Sequence, residues 1–391
     1  MHMDPNVRWF RYIPLFFNMH LKSAAISYPI RFDEDMKGEA NVMVAQMGEF
    51  AKMLTGLMLM IPNGHGEAFE SGISELLPKM VYLKTLVIHG IVNPKHFIPT
   101  ISQLKLLKTL QISSKTESQT PIGIGNNTKF PRLTTLATTL QLLLDGPGRF
   151  SALQILHFEF LRVEDTSHIG PLLRSLATSC PVLEELHIDF FRSTLPVYDD
   201  TIERDGIGLC TLQPLERLPK LCRFSLAHTD PVGLSDSELV TLVSGCPNLK
   251  ELKLVSEPTS VLPSRLSVNV LSRLARLAMC RLTKLAIYAR TSRIVAHSPS
   301  PFISPPPTPG SGGLSSLELI SFGHSPIASG CETKVADYLR GVLPRTCRIV
   351  GPQSTVIKRI KMGQEGLGEA ILREREEREG AWVIVSRLFK K

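Results

Sequence analysis

Apolar residues recur along the chain in a nine-position frame, Φ-x-x-L-x-x-L-x-Φ, where Φ is apolar. Copies begin at Met80, Leu104, Phe130, Phe150, Cys180, Leu218, Cys246, Met279 and Leu314. Each copy has four apolar slots, and every slot in all nine is apolar except Thr138. A chain that is 43% apolar would fill fewer than half of them by chance. The last two slots alternate with polar residues, which predicts a short strand with one buried face. Copies start 20 to 38 residues apart, room for one strand and one return segment. Two returns read as helices. Residues 168–180 place Ile169, Leu172, Leu173 and Leu176 on one face. Residues 235–244 open with Ser235 and Glu238 at capping-box spacing and then bring Leu239, Leu242 and Val243 to one side. A single strand-turn-helix unit cannot bury its own apolar faces, whereas stacked copies bury a continuous core. The expected fold is therefore an α/β solenoid of about nine diverged repeats, with a curved parallel sheet and helices on its convex side.

Two copies, Cys180-Pro-Val-Leu183-Glu-Glu-Leu186-His-Ile188 and Cys246-Pro-Asn-Leu249-Lys-Glu-Leu252-Lys-Leu254, carry a more specific form. The pattern resembles the leucine-rich-repeat family, and the Cys-Pro-x-Leu form resembles the cysteine-containing repeats of F-box/LRR proteins. The irregular intervals are similar to those of fungal F-box-like substrate receptors. The resemblance covers residues 74–349. It implies a non-enzymatic receptor whose repeats select a protein substrate for a ubiquitin ligase, with an N-terminal F-box docking the SCF adaptor subunit. Residues 1–71 show no Leu-Pro-x-Glu-like opening of an F-box. Residues 6–17 (NVRWFRYIPLFF) resemble the segment that follows one. The expected organisation is an irregular N-terminal cap region at 1–73, the solenoid at 74–350, and a C-terminal region at 351–391. In that last region, 369–379 read as a charged helix and 381–389 as a strand or buried tail.

Within each strand, the residues between inward slots share the opposite face. This arithmetic assigns the partner-binding face to His157, Glu159, Glu185, His187, Asp189, Arg223, Ser225, Glu251, Lys253, Lys284 and Tyr288. No metal site and no cofactor are expected. Cys180 and Cys246 fill apolar slots and read as small buried hydrophobes, and no C-x-x-C pair exists for zinc. No G-x-S-x-G elbow, P-loop or H-E-x-x-H motif is present, so no enzyme is expected.

Charge adds one feature. The net charge is +8. Residues 258–317 contain no acidic residue and a basic run of Arg265, Arg273, Arg276, Arg281, Lys284, Arg290 and Arg293. The rest of the chain is close to neutral. Such a run attracts phosphate, an acidic peptide or nucleic acid, and this gives the alternative reading of a phosphate or nucleic-acid binder. Only Tyr288 is aromatic near it, so a single-strand nucleic-acid groove is not expected. A third reading is a stand-alone repeat scaffold with no ligase link. Residues 297–313 (HSPSPFISPPPTPGSGG) form a Pro/Ser-rich insert, expected to be disordered and dispensable for folding. They carry four Ser-Pro or Thr-Pro candidate phosphorylation sites, Ser298, Ser300, Ser304 and Thr308. The strands on either side, 282–287 and 317–322, are expected to pair across it.

No stretch approaches the ~18 apolar residues of a membrane span. The N-terminus lacks a signal-peptide pattern, and the seven cysteines are an odd number. Both point to a reducing compartment, the cytoplasm or nucleus.

Overall fold

The structure, a computed structural model, describes residues 21–27, 47–48, 51–61, 72–91, 97–114, 122–123, 130–138, 142–143, 150–160, 169–190, 207–228, 230–255, 258, 263–277, 280–291, 314–351 and 369–390. The chain divides into two compact units, Met1–Leu161 with Ser175–Leu183, and Arg162–Arg174 with Glu184–Lys391.

The N-terminal unit holds β1 (Ser23–Ser27), β2 (Gly56–Met60), β3 (Thr85–Ile91), β4 (Thr109–Ser114), β5 (Thr135–Thr138) and β6 (Ile155–Phe160). Each is parallel to the next, in chain order. The register keeps equivalent positions of successive copies side by side: Gly56, Thr85, Thr109, Thr135 and Ile155 form one row. The ladder begins one residue before each strand. The Thr55 carbonyl accepts from the Lys84 and Thr85 amides at 2.8 and 3.0 Å, and the Lys84 carbonyl accepts from Lys108 and Thr109 at 2.8 and 2.9 Å. Helix α1 (Phe97–Ser102) buries Phe97, Ile98 and Ile101. At the end of β3 the pairing shifts between His89 and Ile91. Gly90 makes that bulge with φ +86°, and a Cβ there would meet the Ile61 carbonyl oxygen at 2.2 Å. A separate two-residue pairing joins Ile122–Gly123 to Leu142–Leu143.

The return before the Cys180 copy is helix α2 (Ile169–Ser179), which buries Ile169, Leu173 and Leu176 and half-buries Leu172.

The C-terminal unit repeats the plan with β7 (Glu185–Phe190), β8 (Arg223–Ala227), β9 (Glu251–Leu254), β10 (Lys284–Ile287), β11 (Leu319–Ser321) and β12 (Arg348–Val350), again parallel and in chain order. Its helices are α3 (Leu209–Leu212), α4 (Asp236–Gly245), α5 (Val270–Leu274), α6 (Glu332–Val342) and α7 (Glu369–Phe389). Helix α4 has the expected capping box. The Ser235 amide donates to Glu238 Oε2 at 2.7 Å, and the Glu238 amide donates to Ser235 Oγ at 3.3 Å. That bond from the Ser235 amide holds the Glu238 carboxyl below its ordinary range. Hydrogen bonds join one return to another. Asp236 accepts from the Ser267 amide and hydroxyl at 2.7 and 2.5 Å, and Ser272 Oγ lies 2.6 Å from Tyr338 Oη. The strands flanking the insert pair as expected, Lys284 with Leu319 and Leu285 with Ile320.

Each unit is an α/β leucine-rich-repeat solenoid. The strand order and the core both follow from the frame. Of the slots in the nine copies, only Met279 lies outside the described residues, and all the others are buried, Thr138 included. Full burial of one aliphatic slot is worth roughly 1.5–3 kcal/mol. Phe130 and Phe150, first slots of adjacent copies, stack with centroids 5.4 Å apart.

Three findings differ from the sequence reading. First, the segment expected to be an irregular cap contains β1 and β2, paired with each other and with β3. β2 has the frame's spacing in Leu54, Leu57 and Leu59, all buried, behind Ala51 in the first slot. Second, β12 extends the series beyond the Leu314 copy. Leu343 and Ile349 keep the frame there, but Thr346 stands where an apolar slot is expected. Third, 381–389 are neither strand nor tail, because α7 runs unbroken to Phe389. The β-branched run Val383-Ile384-Val385 favours a strand locally, but packing overrides it. Trp382, Val385 and Phe389 share one buried helical face, and Val383 and Ile384 point outward. Trp382 stacks on Phe322 at 4.4 Å and donates from Nε1 to the Ser325 carbonyl at 2.8 Å.

Segment 6–17, the insert 297–313 with Ser298, Ser300, Ser304 and Thr308, and Arg293 lie outside the described residues.

Candidate functional site: the outward strand face

In each strand the residue before the third slot and the residue after it point away from the core. Across β7 to β10 of the C-terminal unit these positions make two rows. The first is Glu185, Arg223, Glu251, Lys284, aligned by register. Its charges alternate in sign, so each neighbour is an opposite charge on an adjacent strand, the arrangement that favours cross-strand pairing. Arg223 Nη2 lies 2.7 Å from Glu185 Oε1, and Lys284 Nζ donates to Glu251 Oε1 at 2.7 Å. The second row is His187, Ser225, Lys253, Ala286. His187 Nε2 is 3.8 Å from Glu185 Oε2, confirming that alternate residues of β7 share a face. Asp189 follows on β7, beside Ala227 of β8. Arg223, Lys253 and Lys284 are exposed, and the rest of the charged set is half-buried among its neighbours.

Tyr288 does not belong to this face. It is 2% exposed, and its hydroxyl accepts from Arg378 of α7 at 3.3 Å. One residue past β10, the chain has turned inward and α7 has covered the ring. The alternation rule holds only within the strand.

In the N-terminal unit, His157 and Glu159 are on β6 and half-buried. The neighbouring positions in the two rows carry no Asp, Glu, Lys or Arg. Thr85, Thr109 and Thr135 fill the first row, and Met58, Val87, Gln111 and Ala137 precede His157 in the second. Met58 and Met60 are 37% and 46% exposed. His89 Nδ1 lies 2.6 Å from Ser113 Oγ on the paired strand. The sequence reading missed Met58 and Met60 because their copy begins with alanine. His89 and Ser113 follow the same alternation at the ends of β3 and β4, one outward position beyond the two rows.

The basic run is scattered across different elements. Arg273 is on α5, Arg265, Arg276 and Arg281 are exposed in separate turns, and Lys284 is paired with Glu251 on the strand face. Arg290 donates toward the Arg265 carbonyl at 3.5 Å. Cys180, Cys246 and Cys347 are buried, and burial pushes each thiol up to about 12. Thiols held protonated in this way are poor nucleophiles and poor metal ligands. Among the described residues, no three His, Cys, Asp or Glu side chains are grouped to hold a metal, and no helix is long and apolar enough to cross a membrane.

Comparison with known proteins identifies no family. No protein-family model matches the chain, and no curated protein matches its sequence. Solved structures do. An internalin from Listeria monocytogenes is 13% identical with a TM-score of 0.37, over 79% of this chain and 82% of its own. A leucine-rich-repeat protein from Leptospira interrogans is 15% identical with a TM-score of 0.37, over 86% and 79%. A TLR13–ssRNA13 complex gives 16% and 0.34, over 79% of this chain and 48% of that one. At these scores the fold rests on the strand order and buried frame, not on the likeness.

Proposed function

We propose that the protein is a non-enzymatic interaction module that binds a protein partner on the outward strand face of its C-terminal unit. The observation that carries this reading is the register-aligned row Glu185, Arg223, Glu251, Lys284, backed by Lys253 and Asp189. Rigid strands hold these charges at fixed spacing, about 4.8 Å from one strand to the next. A fixed pattern of both signs discriminates between partners by electrostatic complementarity more than it adds raw affinity. The narrower reading is substrate recognition for a ubiquitin ligase, of the kind F-box/LRR receptors perform in the cytoplasm or nucleus. It is supported by the Cys-Pro-x-Leu form of the Cys180 and Cys246 copies.

The test is affinity purification of the full chain, with bound proteins identified by mass spectrometry, for wild type and for Asp189→Lys, Arg223→Glu and Lys253→Glu combined. The wild type should retain a defined partner that the triple variant loses at unchanged thermal midpoint. A partner retained equally by both would place the binding surface elsewhere. Recovery of the SCF adaptor with wild type supports the ligase reading, and its absence leaves a stand-alone scaffold.

A further inference from the structure

Among the described residues of the N-terminal unit, charge is segregated by place. From residue 21 to residue 160, the basic side chains among the described residues are Lys22, Lys52, Lys79, Lys84, Lys105, Lys108 and Arg132. All are exposed, and all lie in the turns that lead into β1 to β5. None lies on the strand face. The only acidic residues in the same set are Glu75, upstream of the turn into β3, and Glu159, near the far end of β6. No ion pair with any of these seven cations is formed among the described residues. The backbone fixes their alignment, because Lys22, Lys84 and Lys108 are each the carbonyl that accepts the next copy's paired amides. Five neighbouring strands at ~4.8 Å give a row roughly 19 Å long, the span of about six extended residues.

Apolar side chains are interleaved with the cations on the same turns. Met53 is 38% exposed, and Val81 and Tyr82 are each 53% exposed. Met53 and Tyr82 occupy the same position in adjacent copies, with Lys52, Lys79 and Lys84 around them.

From this arrangement we infer that the strand-entry edge of the N-terminal unit is a second docking surface, fitted to an extended acidic protein segment carrying apolar side chains. None of these cations forms an ion pair with a described carboxylate, so an anionic partner relieves their mutual repulsion. The exposed Met53, Val81 and Tyr82 gain burial only from a partner that brings apolar groups, which a phosphate backbone does not. Six of the seven cations are lysines, point charges suited to single carboxylates rather than to the planar bidentate recognition that arginine provides. This surface is separate from the strand face proposed above, and neither inference depends on the other.

The experiment uses the full chain and a synthetic peptide of about twelve residues, repeats of Glu-Glu-Phe, long enough to cover the row. The comparison probes are an all-glutamate peptide of equal length, a single-stranded thymidine oligonucleotide, and phosphatidylcholine vesicles with and without phosphatidylserine. Binding is read by fluorescence anisotropy or co-sedimentation, and carboxylate–lysine cross-links are mapped by mass spectrometry. The Glu-Glu-Phe peptide should bind most tightly, lose affinity as salt rises, and cross-link to Lys84, Lys105 or Lys108. Lys84→Glu with Lys108→Glu should weaken it by about tenfold, and Val81→Ser with Tyr82→Ser by several-fold. Lys253→Glu on the strand face should leave it unchanged, so failure here is distinct from failure there. All these positions are exposed, and an unchanged thermal midpoint confirms folding. The inference is overturned if the peptide does not bind, if the all-glutamate peptide binds as well, or if the oligonucleotide or anionic vesicles bind more tightly. Losses under about threefold for Lys84→Glu with Lys108→Glu overturn it equally.

Discussion

The two units share one backbone plan and differ, among the described residues, in what their outward strand rows carry. In the C-terminal unit the row before the third slot reads Glu185, Arg223, Glu251, Lys284, and its charges pair across strands at 2.7 Å. In the N-terminal unit the same row reads Thr85, Thr109, Thr135, and the cations sit at the strand-entry edge instead. The repeat frame dictates only its inward slots. Outward positions make no demand on folding beyond solubility and β-propensity, and threonine and paired charges both satisfy that. What differs between the units is therefore free to serve binding, and what they share is fixed by the core. The comparison predicts that core changes act alike in both units, and that surface changes act on partners rather than on stability.

The largest expected effect is local to the C-terminal unit. Trp382 is fully buried, stacked on Phe322 and bonded to the Ser325 carbonyl. Trp382→Ala should cost about 3–5 kcal/mol through lost burial and the cavity left behind. Hydrogen exchange should then lose protection first in β11 and β12, while β2 to β4 keep theirs. Uniform loss along the chain would show that the units do not unfold separately.

Next come the shared slots. Leu252→Ala in the C-terminal unit and Leu110→Ala in the N-terminal unit should each cost about 2–5 kcal/mol in chemical denaturation. Their outward neighbours, Glu251→Ala and Thr109→Ala, should stay within about 0.5 kcal/mol. A large loss at an outward residue, or a small one at a slot, would break the assignment of faces.

Where the frame was complete, the sequence carried the fold to the residue. Leu186 and Leu252 are buried, Arg223 and Lys253 are exposed, and the capping box at Ser235 and Glu238 is present. Legibility failed where the frame was diluted. Ala51 hid the β2 copy, Ala24 stands at a strand slot in β1, and Thr346 broke the copy that ends in β12. In each case neighbouring copies supply the pairing that the local sequence does not specify. Residues inside a strand follow the expected alternation outward, and Tyr288 departs from it, where α7 packs from more than 80 residues away. Long-range covering of that kind leaves no periodic trace. The cationic edge of the N-terminal unit escaped for another reason. Its residues are spread over five copies, and they form a row only once the register is known.

A smaller effect appears at alkaline pH, and Cys180 of the N-terminal unit shares its cause. Cys246 and Cys347 lie in the C-terminal unit, and burial raises both thiols from 9.0 to about 12. Unfolded, they ionise near 9 while the folded protein keeps them protonated. The folded state then holds more protons than the unfolded one, so stability is intact below pH 9 and falls as pH rises toward 12. Replacing both with alanine should flatten the fall in thermal midpoint between pH 9 and 11, measured against wild type over the same range. Alkylation at pH 8 should mark the exposed Cys210 before either. Early labelling of Cys246 would mean that its slot opens readily.

The smallest effect tests the comparison itself. Glu185 and Arg223 form a cross-strand pair on the C-terminal face, with the arginine side chain 44% exposed. Solvent screens such a pair, so a double-mutant cycle with alanine should give a coupling of about 0.2–1 kcal/mol at low salt. It should shrink as salt approaches 1 M, where the screening length is only about 3 Å. The matching cycle at Thr109 and Thr135, which occupy the same register positions in the N-terminal unit, involves no charge. Its coupling should be equally small but independent of salt. Two cycles with the same salt dependence would mean that the charged row acts through packing alone. The contrast between the faces would then lie in shape, and charge reversal at Arg223 should no longer affect partner capture.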